Sequence, residues 1–302
     1  MSRIHEALKK AEQERALSQG GQKVDLLHNL ETHADAAVIS TAAVVSAAAP
    51  APVFASESLL ERSRITHWRP DPKSMLFFGG DQHLSGMEEF RTLRSRLYQA
   101  REKQPLSKLL VTSPLPREGK SFTAANLAQV IVLQHGKRAL LIDADLRNPQ
   151  LHTLLGAEAG PGLSEYLQSE VDEGSILQRG PMENLFLIPA GRNNQNPAEL
   201  VANGRMKFLM NRLEALFDWI IVDSPPAALV SDAALLANYC DGVLLVVRSN
   251  NTPVDAARKA KQEFAEHNVV GVVLNGIAAD LSPYSQYYYP SYGKNGKAEA
   301  KN

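Results

Sequence analysis

Three short stretches set charged side chains at the ends of apolar runs. The first is TSPLPREGKSFTAANLA, residues 112–128. A Gly-Lys-Ser triplet that follows an apolar run and opens a helical pattern has the context of a phosphate-binding loop. Backbone N–H groups and a helix N-terminus wrap phosphate oxygens there, a lysine ammonium offsets their charge, and a serine hydroxyl ligates Mg2+. Lys120 is the candidate cation and Ser121 the candidate metal ligand. Pro114 stands where the general pattern has its first glycine, so the triplet and its context carry the reading.

The second stretch, LLIDADLRNP (140–149), ends an apolar run in Asp143, Asp145 and Arg147. Carboxylates at the C-terminal end of a strand beside a phosphate loop lie where open α/β sheets bind ligands. The plainer alternative is a strand-to-helix turn with an aspartate as helix cap. The third, WIIVDSPP (219–226), ends in Asp223, a candidate to hold Mg2+ directly or through water.

These residues need elements to position them. Apolar runs at 108–113, 138–143, 185–190, 219–224, 242–247 and 269–275 alternate with helical patterns at 120–135, 196–217, 231–239 and 253–266. The runs are continuous rather than alternating, which predicts strands covered on both faces. The expected fold is α/β: a three-layer sandwich with a mostly parallel sheet flanked by helices, of the phosphate-loop type. A helix over GMEEFRTLRSRLYQAREK precedes it, with Phe90, Leu93, Leu97 and Tyr98 near one stripe.

Outside this region the texture differs. Residues 1–18 are expected to form a short amphipathic helix, and 19–75 a linker of Gly-Gly, Ala/Val/Ser and Ala-Pro stretches. The catalytic region is expected over 76–280 and a tail over 281–302. That tail, SPYSQYYYPSYGKNGK, holds Tyr284, Tyr287, Tyr288, Tyr289 and Tyr292 among eight tyrosines in the chain. Pro283, Pro290 and the lack of any period argue against a helix or a core strand there.

Composition narrows the classes. Net charge is −1, so no bulk field draws the chain to nucleic acid. Cys240 is the single cysteine, which excludes an intrachain disulfide and a cysteine-based metal site and fits a reducing compartment. The charged N-terminus has no apolar signal core, and the Ala-rich window 36–55 is broken by Pro50 and Pro52. The expectation is a cytoplasmic protein that does not cross a membrane by itself.

Together the three stretches resemble the bacterial tyrosine kinases, autokinases of capsule and exopolysaccharide systems. LLIDADLR matches that family's ΦΦΦDxDxR element and IIVDSPP its acidic strand. The resemblance extends from 86 to 292 through NLA, GLSEYL, NPAELV, VSDAALL and GVVLN, and leaves 1–75 uncovered. Glu88, Arg91 and Arg94 fall at the E-x-x-R-x-x-R spacing that the family uses to join subunits into a ring, with an octamer as one candidate size. At i, i+3 and i+6 they form a charged strip on a helix, which without the family context reads as a solvated face. The tyrosine-rich tail matches the family's autophosphorylation cluster. Arg117 departs from the pattern, since the family usually has glycine at that position.

The resemblance implies ATP and Mg2+ as cofactors and transfer of phosphate to the tyrosines of neighbouring subunits. Pro116, Arg117, Glu118, Gly119, Lys120, Ser121 and Phe122 would surround the phosphates, with Arg147 bracing carboxylates or a phosphate. Ser121, Asp145 and Asp223 would hold the metal. Asp143 would orient or deprotonate the phenol, a role exchangeable with Asp145. Asn275 ends a strand near where related folds read adenine. Implied partners are further copies of the chain, a separate transmembrane polysaccharide co-polymerase that recruits and activates it, and a tyrosine phosphatase. The alternative is a MinD/ParA-like ATPase switch, but those proteins carry a signature lysine where Leu115 stands and lack a tyrosine tail. A nucleotide-binding scaffold without turnover would tolerate loss of Asp143 or Asp145, and both are present.

Overall fold

The computed structural model describes residues 59–78, 86–192 and 196–277. The N-terminal helix expected over 1–18 and the tyrosine cluster lie outside these residues. The described strands are β1 (Arg64–Ile65), β2 (Lys108–Thr112), β3 (Ala139–Asp143), β4 (Gln178–Arg179), β5 (Leu185–Ile188), β6 (Trp219–Asp223), β7 (Gly242–Arg248) and β8 (Val269–Asn275). The helices are α1 (Met87–Lys103), α2 (Lys120–Val132), α3 (Leu151–Leu155), α4 (Leu163–Leu167), α5 (Glu173–Ile176), α6 (Pro197–Ala202), α7 (Arg205–Glu214), α8 (Asp232–Ala237) and α9 (Val254–Glu263).

The strands form one sheet in the order β1-β4-β5-β3-β6-β2-β7-β8. Every pairing is parallel except β4 with β5. The expected mostly parallel sheet is therefore present, with β2, β3 and β6 side by side at its centre. Successive residues of these strands point to opposite faces. Leu110, Leu140, Ile142, Ile220 and Val222 join Leu209 and Leu213 of α7 and Leu236 of α8 in one core. Leu109, Val111, Leu141 and Ile221 join Phe90 and Leu97 of α1 and Leu127 and Ile131 of α2 in the other. Both faces are covered, which is why the sequence of each central strand is apolar without alternation. The rule fails at the edge, where Val272 and Leu274 of β8 stand 59% and 53% exposed.

Two sequence expectations need correction. Residues 59–75 were expected within the linker, yet they belong to the folded unit. β1 extends the sheet on β4, and Trp68 and Met75 are buried. The side chain of Asn126 on α2 accepts from the Leu76 N–H and donates to the Ser74 carbonyl, both at 2.9 Å. A two-residue strand and isolated apolar anchors between polar residues leave no periodic trace. The single helical pattern over 196–217 is also two helices, divided at Gly204, where helix propensity is poor. Among the described residues, no helix is long and apolar enough to cross a membrane.

Candidate active site

The register of the central strands assembles the site. Asp143 at the end of β3 and Asp223 at the end of β6 are direct cross-strand partners. Val111, near the end of β2, pairs with the same Asp223 on its other side. The chain then turns through 113–119 and enters α2 at Lys120. All three sequence elements therefore arrive at one level, at the carboxyl edge of the sheet, where parallel α/β folds place ligands.

Lys120 is buried among carboxylates. Its Nζ donates to Asp145 Oδ2 at 2.8 Å, lies 3.7 Å from Asp223 Oδ1 and reaches Ser121 Oγ at 3.3 Å. Burial alone would depress its pKa, but the charges of Asp223 and Asp145 outweigh that and raise it above the ordinary lysine value. Lys120 is therefore an ammonium at neutral pH.

The three carboxylates differ in what they already hold. Asp145 is committed, accepting from Lys120 with one oxygen and from the Asn148 N–H with the other at 3.0 Å. Asp143 uses Oδ2 to accept the Gln150 and Leu151 N–H groups at 3.1 and 2.9 Å, the helix-cap role the sequence left open. Its Oδ1 is buried without a hydrogen-bond partner among the described residues. Both oxygens of Asp223 are in that state too. Burial first, then the charge of Asp223, pushes the Asp143 pKa up to about 8. Burial pushes Asp223 up to about 6, held there by the opposing pull of Lys120.

Buried oxygens without donors are costly unless a cation meets them. The donor set fits Mg2+, a hard cation that takes one or two carboxylates, a hydroxyl and substrate phosphates rather than an all-protein cage. Ser121 Oγ and Asp223 stand closest to that requirement. Among the described residues, no group of three or more His, Cys, Asp or Glu converges as a metal cage.

The loop backbone explains the departure at Arg117. This residue adopts φ +63°, in the left-handed region where glycine is at ease. Arginine tolerates it at a cost of about 1 kcal/mol, and its side chain points to solvent. Gly119 also has positive φ, +95°, and a Cβ there would lie 2.0 Å from Asn275 Nδ2.

Two sequence-assigned groups make contacts within the chain that the sequence did not foretell. Arg147 forks onto Asp232 of α8, with Nε–Oδ2 at 2.7 Å and Nη2–Oδ1 at 3.0 Å, rather than onto the site carboxylates. Asp232 is buried, and its only sequence trace was its place in VSDAALL. On α1, Glu88 and Arg91 pair on the exposed face, while Arg94 Nη1 turns inward to the Val130 carbonyl at 2.7 Å. Thr252, which meets Glu118, gave no signal in sequence.

Comparison with known proteins agrees with this geometry. A family described as AAA domain matches residues 118–259. The tyrosine-protein kinase YwqD of Bacillus subtilis is 38% identical over 67% of this chain and 85% of its own length. The tyrosine-protein kinase wzc of Salmonella typhimurium is 32% identical over 73% of this chain, which spans only 31% of that longer relative. The kinase domain of the Escherichia coli tyrosine kinase ETK superposes with a TM-score of 0.61 at 30% identity, over 72% of this chain and 80% of that one. The phosphate loop, its two acidic strand ends and these relatives agree: the chain belongs to the family of bacterial tyrosine-protein kinases.

Proposed function

We propose that this kinase uses ATP and Mg2+ to phosphorylate the tyrosine cluster at 284–292 on neighbouring copies of itself within a ring. The observation that carries the reading is the buried Lys120 ammonium flanked by Asp145 and Asp223 at the mouth of the loop. Phosphoryl transfer needs positioning and charge neutralisation more than covalent help. The loop amides 117–121 and Lys120 hold the phosphates. Ser121 and Asp223, with Asp145 once Lys120 turns from its Oδ2 to the phosphates, are the residues that would hold Mg2+, which when bound neutralises developing charge on the phosphate oxygens.

In the reaction the phenol oxygen bonds to the γ-phosphorus, the bridging bond to ADP breaks, and the phenolic proton leaves. Asp143 Oδ1 is the acceptor we assign to that proton. Its pKa of about 8 lies between an ordinary carboxylate and a phenol near 10, a fair match for general-base work. Each phosphotyrosine then adds roughly −1.5 to −2 charges. A multiply modified tail repels the acidic site, so the ring loosens as phosphorylation proceeds. We assign this cycle to control of polysaccharide polymerisation and export, with a separate membrane co-polymerase recruiting and activating the kinase and a phosphatase resetting it.

Intact-mass measurement after incubation with ATP and Mg2+, with and without a candidate activator, tests this. The wild type should gain whole phosphate increments, and Lys120→Met and a chain truncated before Tyr284 should gain none. ATP hydrolysis without phosphotyrosine on any form, activator present, would reject the kinase reading in favour of an ATPase switch.

A further inference from the structure

A glutamate inside a phosphate loop is an electrostatic liability, because its carboxylate competes with the phosphates it should help to bind. Glu118 removes that liability by turning away from the loop mouth. It is fully buried, and Oε2 accepts the Leu115 N–H at 3.0 Å, closing the loop on itself. Oε1 accepts the hydroxyl of Thr252, a residue in the turn between β7 and α9.

That turn is itself tied to the loop and to β8. Thr252 Oγ1 accepts the Arg248 N–H, and the Thr252 N–H returns to the Arg248 carbonyl, both at 3.1 Å. Arg248 Nη1 donates to the Arg117 carbonyl at 3.2 Å. The Ser249 N–H reaches the Asn275 carbonyl at 2.8 Å. Asn275 Nδ2 donates to the Glu118 carbonyl at 2.9 Å, and its Oδ1 accepts the Gly276 N–H at 2.9 Å. Both ends of the Asn275 amide are therefore engaged with backbone. Arg248, Thr252 and Asn275 thus grip two consecutive loop residues, Arg117 and Glu118, and the residues on either side of Glu118, Arg117 and Gly119, hold positive φ.

We propose that Glu118, Thr252 and Asn275 are positioning residues that preset the phosphate loop for nucleotide. The inference rests on the reading of this loop as the ATP site. A loop held in its binding conformation spends less of the binding free energy on ordering. Thr252→Val keeps the shape of the side chain but removes the hydroxyl, leaving Glu118 Oε1 and the Arg248 N–H without their partner. The loosened loop must then be ordered by ATP itself. Such a loss is uniform between ground and transition states, so it moves KM and leaves kcat.

The test uses the full chain as wild type, Thr252→Val and Thr252→Ser. ATP affinity is titrated by calorimetry with Mg2+, KM and kcat are taken from tyrosine phosphorylation, and the nucleotide-free unfolding midpoint is recorded. Thr252→Val should raise Kd and KM about tenfold, the loss expected from one buried hydrogen bond, with kcat within about twofold. Thr252→Ser, which restores the hydroxyl, should return near wild type. If Thr252→Val gives no cooperative unfolding, Asn275→Ala should show the same split between KM and kcat. Unchanged Kd in the folded variant, a loss that serine does not rescue, or a fall in kcat at constant KM would overturn the brace. A wild type that binds no ATP would instead overturn the reading of the site.

Discussion

Two groups of paired charge in this kinase look alike in sequence and differ in consequence. Lys120, Asp145 and Asp223 are buried at the carboxyl edge of the sheet, whereas Glu88 and Arg91 pair on the exposed face of α1. The buried group has surrendered hydration, so each member depends on the others. The exposed pair keeps its water and contributes little to folding. Conformational stability and chemistry are therefore coupled at the first group. The second is free to serve a neighbouring surface at small cost to the fold.

The largest expected effect tests that coupling at Lys120. Lys120→Met removes the cation that meets two buried carboxylates and that we propose holds the nucleotide phosphates. Turnover should fall by at least about a hundredfold, the scale of losing one preorganised electrostatic contact. Calorimetric unfolding of the nucleotide-free variant should also shift, because Asp145 and Asp223 are left without their partner. Retention of wild-type turnover would place the charge contribution elsewhere.

Next comes pH. Asp143 is raised from an ordinary 3.8 to about 8 and Asp223 to about 6, so the folded chain binds more protons than the unfolded one between those limits. Stability from these groups is complete below the unfolded carboxylate value and is lost as pH rises through the folded values. The nucleotide-free unfolding midpoint should therefore decline from about pH 4 to about pH 8. Asp143→Asn should flatten the upper part of that decline while lowering turnover. An unchanged slope in Asp143→Asn would assign the proton uptake to other groups.

The smallest effects lie on α1 and sharpen the contrast. Arg91→Ala should change stability by less than about 0.5 kcal/mol, as an exposed i, i+3 pair. Arg94→Ala should cost about 1 kcal/mol, because it loses its hydrogen bond to the Val130 carbonyl on α2. Denaturant titration of the two variants separates these values. The combined Glu88→Ala, Arg91→Ala and Arg94→Ala variant should scatter less light than wild type if the strip joins subunits. Equal scattering would remove that role.

Asp143 and Asp223 were legible because each ends an unbroken apolar run, with Asp145 two residues beyond the first, and strand spacing then puts the run ends at one level. The loop lysine was legible from its strand-to-helix context. What escaped lies in contacts whose partners are far apart in the chain. Arg147 and Asp232, or Glu118 and Thr252, have no local pattern that links them; only the fold brings them within bonding distance. The segment 59–75 escaped for a related reason. Trp68 and Met75 are buried by packing on neighbours rather than by membership in a periodic element. Arg117 was visible as a departure from the family, but its meaning needed the backbone, since φ is not written in composition.

The central claim is that one copy's phosphate loop acts on another copy's tail. Mixing two forms tests it directly: full-length Lys120→Met, which has the tail but no functional loop, and a wild-type loop on a chain truncated before Tyr284. With ATP, Mg2+ and activator, phosphate should appear on the Lys120→Met chain, read by intact mass, and should be absent when either form is incubated alone. A Lys120→Met chain that stays unmodified beside a truncated partner that turns over ATP would contradict transfer between copies.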